Sequence, residues 1–234
     1  MQSLVQSQTM QGMRKIRMCF SDAFPIIVGY FSISVAFGVL AQKYLGMYAV
    51  MMSALVFAGA SQFVALQMLI HKSSALLIVL TTFLVNLRHV LMSSYMSALY
   101  SRINAGRIKR ALVSFGITDE TFAIASKRLK ELPDANYNLG LNFLCYVSWI
   151  TGTAVGLLFG NVIPLNVVDA LPFALTALFI TLLVLSVENR VDVAVAAIAG
   201  IVSILLGFLP VGWNVMIAAL VACALGGVFE RWKS

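Results

Sequence analysis

Seven long apolar runs leave this chain few ways to fold. They cover Ala23–Leu40, Met47–Ile70, Ser74–Tyr100, Leu139–Gly160, Leu171–Val187, Val193–Leu209 and Val215–Phe229. A helix needs about 20 apolar residues to cross a bilayer, and these runs approach or exceed that length. In hydrocarbon every backbone polar group must be bonded within the protein, which leaves helices or a closed barrel. The runs are continuous rather than alternating, so the barrel is excluded. Composition agrees, with 61% hydrophobic and 11% charged residues, where a soluble domain carries about 25% charged. The expected fold class is all-α, a polytopic transmembrane helix bundle of about six or seven spans that includes discontinuous helices.

The chain divides by polarity into an N-terminal tail (1–22), N-terminal membrane segments (23–100), a basic connection (101–136), a four-span membrane region (137–230) and a short tail (231–234). The tail 1–22 is polar and holds Arg14, Lys15 and Arg17, and the run after it is too long for a signal-peptide core. Asp22 and Pro25 read as the start and first turn of the first helix, with Gly29 and Gly38 suited to close packing. Cys19, Cys145 and Cys223 are odd in number and far apart, so buried small hydrophobes are expected rather than a disulfide. With His71 and His89 the only histidines, neither a metal centre nor a cofactor is expected.

The net charge is +7, and seven of the sixteen basic residues cluster in Ser101–Asn136: Arg102, Arg107, Lys109, Arg110, Lys127, Arg128 and Lys130. Acidic residues dilute the patch and no base-stacking aromatic pattern accompanies it. It reads as a cytoplasmic connection facing anionic lipid headgroups, not as a nucleic-acid site. Asn161–Ala170 and Pro210–Asn214 carry no Lys or Arg, while Arg190, Arg231 and Lys233 return to the basic side. Four crossings therefore put the C-terminus in the cytoplasm. A cytoplasmic N-terminus needs an even number of crossings before residue 101, yet three apolar runs lie there. Either the N-terminus is outside, which leaves Arg14, Lys15 and Arg17 on the wrong side, or one of these runs fails to cross simply. The breaks on offer are Phe57–Phe63 (FAGASQF) and the NLRH cluster at residues 86–89. Close helix packing at Gly59, Ala60 and Ser61 is the alternative to a break.

Asn86, Arg88 and His89 put strongly polar groups inside an apolar run, at a cost of about 2.5–3.5 kcal/mol for a central charge. On a helix, Asn86, His89, Ser93, Ser97 and Tyr100 share one face, and Arg88 points about 100° away. Either these groups line a site, or His89 holds a neighbouring helix and Arg88 snorkels to an interface. In FGITDETFAIA, Phe115–Ala125, Thr118 reads as an N-cap with Asp119 and Glu120 in the first turn. The apolar flanks of that helix suit a position against the membrane domain. No HExxH, GxSxG or Walker motif occurs, so enzymatic activity is not expected.

The motifs FAGASQFVALQML, TTFLVNLRHVLMSS and GITDETFAIA, taken in this order, with the SDAFPIIVGYFSISVAFG opening before them and the LPVGWN turn after, resemble the AzlC family. The resemblance runs from about residue 14 to the C-terminus. It implies the large subunit of a bacterial branched-chain amino acid exporter in the inner membrane, working with a small AzlD-like partner. Valine, leucine, isoleucine and methionine would be its substrates. The carboxylate of such a substrate would meet Arg88 or helix-end amides around Gly59, Ser61 and Gln62. Its ammonium would meet backbone carbonyls, Asn86 or Asp119. His89 is the first candidate to carry a coupling proton, followed by Asp119 and Glu120. A passive channel and a non-transporting assembly subunit are the alternatives to a secondary transporter.

Overall fold

The computed structural model describes residues 2–162 apart from 102, 104, 105 and 132, then residues 173, 176, 177, 180, 183, 184, 187 and 189, then 190–209 and 213–231. Every regular element among these residues is helical: α1 (Gln2–Leu45), α2 (Tyr48–Val56), α3 (Gly59–Ile70), α4 (Ala75–Tyr100), α5 (Arg107–Phe115), α6 (Asp119–Glu131), α7 (Ala135–Phe159), α8 (Arg190–Leu205) and α9 (Trp213–Arg231). A 3₁₀ turn, Gly160–Val162, follows α7. Most of the expected span Leu171–Val187 and of the connections Asn161–Ala170 and Pro210–Asn214 lies outside the described residues.

Three of the described helices are long and apolar enough to cross a bilayer: Arg14–Leu45 within α1, Ala75–Tyr100 and Ala135–Phe159. The reading of Asp22 and Pro25 as the opening of the first helix is overturned. Helix α1 runs unbroken through Pro25 and takes in the polar tail. Asp22 does not cap because its carboxylate is claimed elsewhere. It accepts from Arg128 Nε at 2.8 Å, Arg128 Nη2 at 3.0 Å and the Tyr137 hydroxyl at 2.6 Å.

Helices α1 and α7 form the centre of the fold and run parallel. Tyr137 meets Asp22, the Ser148 hydroxyl donates to Ile27 O, and the Gln42 amide donates to Leu157 O, so positions rise together along both helices. Small residues let the backbones touch. A Cβ at Gly38 would strike the Thr153 carbonyl, and one at Gly152 or Gly156 would strike Ser34 or Val35. Gly29, also expected at a packing contact, has nothing near it.

The second apolar run is broken. Phe57 takes a left-handed backbone conformation, φ 40° and ψ 46°, and separates α2 from α3. At 1.5 Å per residue these helices measure about 14 and 18 Å, against about 30 Å of hydrocarbon. The chain also turns back. Phe57 packs on Tyr30, and Phe63 packs on Phe37 nearer the C-terminal end of α1, from which α2 set out. The NLRH cluster, the other expected break, is continuous helix within α4.

Helices α5 and α6 do the same from the opposite end. The terminal Tyr100 of α4 is hydrogen-bonded by Asn138, close to the start of α7. From there α5 rises until Val113 O accepts from Asn142 at 2.9 Å and Phe115 packs on Tyr146. Helix α6 descends again, with Arg128 at the Asp22 end. The basic connection is therefore largely a hairpin with a buried face, in which Val113, Thr118, Thr121, Ala125 and Leu129 are shielded. Helix α4 runs antiparallel to α1 and α7. Helices α8 and α9 pack on each other, with Gly226 against Val195, and α8 opens with a capping box between Asn189 and Asp192.

Candidate functional site

The tips of the two hairpins meet. The rings of Phe57 and Phe115 stack at 6.3 Å, and both contact Tyr146 of α7, at 5.2 and 5.6 Å. Beside them lies a small cavity of about 30 Å³. Its wall is drawn from five helices: Tyr30, the Phe57–Ala60 tip, Arg88 and His89, Thr118–Glu120, and Trp149.

Of the residues expected at a substrate site, Gly59, Arg88, His89, Asp119 and Glu120 line this one cavity, and Ser61, Gln62 and Asn86 do not. Arg88 Nη1 pairs with Asp119 Oδ2 at 2.7 Å, and each side chain keeps 30% and 26% of its surface exposed. His89 Nδ1 lies 3.2 Å from Asn86 O within its own helix. Ser61 donates to Asn86 Oδ1 at 2.5 Å, a bond that ties α3 to α4 behind the cavity wall.

Gln62 is fully buried and acts one layer back. Its carbonyl accepts from Trp149 Nε1 at 2.8 Å, and its amide donates to Ser53 Oγ at 2.9 Å. Ser53 Oγ in turn lies 2.8 Å from Thr153 Oγ1. This chain of neutral groups holds the indole of Trp149 in place. A Cβ on Gly59 would come within 2.6 Å of the indole ring, so glycine is what allows the tip to seat there.

The two helix ends at the cavity differ. Helix α3 has Ala58 at its N-cap position, with no side-chain cap and no acidic residue in its first turn. Its first amides carry the positive end of the helix dipole. Helix α6 supplies its own partners: Thr118 Oγ1 accepts from Thr121 N at 3.3 Å, as the N-cap reading expected, and Asp119 and Glu120 occupy the first turn. The Tyr30 hydroxyl lies 2.5 Å from Thr118 Oγ1 and is also bonded to the Glu120 carboxylate.

Sequence reasoning missed Tyr30 and Trp149. Each sits in an apolar run, where an aromatic residue reads as core. Their one distinguishing signal is a polar atom that must find a partner when buried. The Asp22–Arg128–Tyr137 cluster was missed because Asp22 lies more than a hundred residues from both of its partners.

These features define a multi-pass membrane protein with a charged cavity walled by two broken, inward-turned helix pairs. The chain belongs to the AzlC family, whose model, described as AzlC protein, matches residues 25–163. It is 35% identical over 186 residues to the inner membrane protein YgaZ of Escherichia coli, covering 75% of each chain. It is 30% identical over 175 residues to the branched-chain amino acid transport protein AzlC of Bacillus subtilis, covering 72% of this chain and 66% of that one. An uncharacterized membrane protein of Archaeoglobus fulgidus is 32% identical over 212 residues, covering 88% and 89%. No solved structure matches. The family places the chain in membrane transport.

Proposed function

We propose that this chain is the transporting subunit of a secondary exporter of branched-chain amino acids in the bacterial inner membrane. Its substrates are valine, leucine, isoleucine and methionine, and a small AzlD-like membrane subunit completes the carrier. The observation that carries this reading is the Arg88–Asp119 pair beside the uncapped end of α3. A zwitterion can replace each half of that pair. Its carboxylate takes Arg88 and the α3 amides, and its ammonium takes Asp119, with Glu120 adjacent. Ile33, Phe57 and Trp149 offer apolar surface to an aliphatic tail. Proton coupling runs through His89, Asp119 or Glu120, the titratable groups of the cavity besides Tyr30 and Arg88.

In this reading Ser101–Asn136 and the C-terminus are cytoplasmic, and Arg107, Lys109 and Arg110 face anionic headgroups. The inward-turned α2–α3 pair supports a cytoplasmic N-terminus, because only α1 and α4 then cross before residue 101.

The test is counterflow of labelled valine in proteoliposomes holding the full chain and its small subunit. Saturable counterflow is expected, with isoleucine and methionine competing and valine amide and N-acetylvaline failing to compete. One methylene changes binding by only about 1–3 kcal/mol, whereas a blocked head group leaves buried site groups unpaired. Unsaturable flux without counterflow would mean a channel, and counterflow from the small subunit alone would make this chain an assembly factor. Equal competition by the blocked derivatives would remove Arg88 and Asp119 from substrate recognition.

A further inference from the structure

The cavity of about 30 Å³ holds on the order of two water molecules. A free amino acid is several times larger, so the walls must part to admit one. Helices α1 and α7 cannot supply that movement cheaply, because their backbones touch at Gly38, Gly152 and Gly156. The hairpins can. Each enters from its own end of the molecule, stops at the cavity, and is fastened to the central pair by hydrogen bonds that the other hairpin does not share.

We propose that α2–α3 and α5–α6 are two separately latched gates of one site, one for each side of the membrane. Ser53–Thr153 and Gln62–Trp149 latch the first, and Tyr30 with Thr118 and Glu120 latches the second. The proposal rests on the reading of the cavity as the transport site. Tyr30 and Gln62 are positioning residues in it, since each holds a gate closed.

The latches share no hydrogen bond, and they touch only through the Tyr30 ring, edge-on to Trp149 at 5.3 Å and to Phe57 at 6.2 Å. Thr153 and Trp149 of α7 hold only the α2–α3 hairpin, through Ser53 and Gln62. Tyr30 of α1 donates its hydroxyl only toward α6. Opening α5–α6 therefore leaves every side-chain bond of the α2–α3 latch intact, and the reverse also holds. The tips rest on each other through Phe57 and Phe115, an apolar contact with no hydrogen bond to break. Separation of the latches lets either tip lift while the other stays seated, which is what a carrier needs to face one side at a time.

The test uses the full chain with its small subunit in membrane vesicles of both orientations, with Cys19, Cys145 and Cys223 replaced by serine. A cysteine at Ala60, in the cavity wall, reports access to an impermeant thiol reagent too large for the closed cavity. Oxidising a Ser53→Cys/Thr153→Cys pair should lower labelling from one face at least about tenfold and spare the other, with reductant reversing the effect. Tyr30→Phe loses the hydroxyl's bonds to Thr118 and to the Glu120 carboxylate and should raise labelling at least about tenfold from the spared face alone. If the cysteine pair does not reach the membrane, Gln62→Leu tests the same latch and should raise labelling only from the face that the disulfide would close. The proposal is overturned if labelling changes equally from both faces, or from neither, in any of these variants. Face-specific labelling in a protein that shows no valine counterflow would sink the substrate assignment and leave the gates standing. Valine counterflow with no face-specific labelling would do the opposite.

Discussion

The two hairpins share a plan and differ in chemistry. One joins helices of 9 and 12 residues, the other helices of 9 and 13, and both turn at the same cavity. The α2–α3 hairpin is held by Ser53, Gln62, Trp149 and Thr153, all neutral. The α5–α6 hairpin is held by Arg128 on Asp22, Asp119 on Arg88 and Glu120 on Tyr30. Neutral groups cost less to take out of water, and once satisfied they hold one arrangement rigidly. Charged groups cost more, but protons and charged ligands can compete for them. The same architecture thus gives one gate indifferent to its solute and one that a zwitterion or a proton can disturb.

The largest expected effect lies on the charged side. Arg88→Ala leaves Asp119 without its 2.7 Å partner and removes the donor proposed for a substrate carboxylate. Export should be lost while the protein remains in the membrane, read as intracellular valine against the amount of membrane-inserted chain. Normal export by an Arg88→Ala chain would break the contrast between the hairpins, because the charged one would then be scaffold only.

A smaller effect separates the tips by shape. In Gly59→Ala the new Cβ meets an indole locked by Gln62, and in Gly116→Ala it meets the Cβ and amide of Asn142 at 2.5 Å. Overpacking of this kind costs about 1–3 kcal/mol. Both variants should melt earlier in detergent, and Gly116→Ala should also weaken the bond from Asn142 to Val113 O. Unchanged melting of either would mean that the tip is looser than its contacts imply.

Gln62→Leu probes the neutral latch alone. It strands the Trp149 N–H and one bond of Ser53, at about 1–3 kcal/mol for buried groups left unsatisfied. Its cost should be the same at pH 5 and pH 8, because no member of the network titrates there. A pH-dependent cost would show that the two hairpins are coupled.

The smallest effect belongs to the charged end, outside the membrane-spanning segments. The hydrogen bond from Lys15 Nζ, at 2.8 Å, holds the Asp134 carboxyl below its ordinary value of 3.8, with burial opposing. A carboxylate with a depressed folded pKa stabilises the protein above its unfolded pKa, and that stability disappears as pH falls through the folded value. Asp134→Asn should therefore melt slightly earlier than the parent chain at pH 6, with the gap closing below about pH 4. A gap that persists at pH 2 would show that the stabilisation does not come from the charge pair with Lys15.

By itself the sequence determined the class of protein. Apolar runs near bilayer length admit only helices, and that inference needs no neighbours because it follows from backbone groups that cannot be left unbonded in hydrocarbon. It also determined local punctuation. Thr118 caps α6, as read, while FAGASQF was only one of two possible breaks, with close packing as the alternative. What it left open was whether the broken run crosses or turns back, since the apolar pattern is the same for both. The left-handed turn at Phe57 and the packing of Phe63 on Phe37 decide that. The partners of the polar groups were likewise settled only by tertiary structure. Tyr30 reaches Glu120 across 90 residues, Arg128 reaches Asp22 across 106, and Gln62 turns away from the cavity to hold Trp149 across 87. A buried polar atom must find a partner, but helix periodicity orders only neighbours three and four residues apart. Which distant helix supplies that partner depends on how α1 and α7 close on their glycines and where the two hairpins stop.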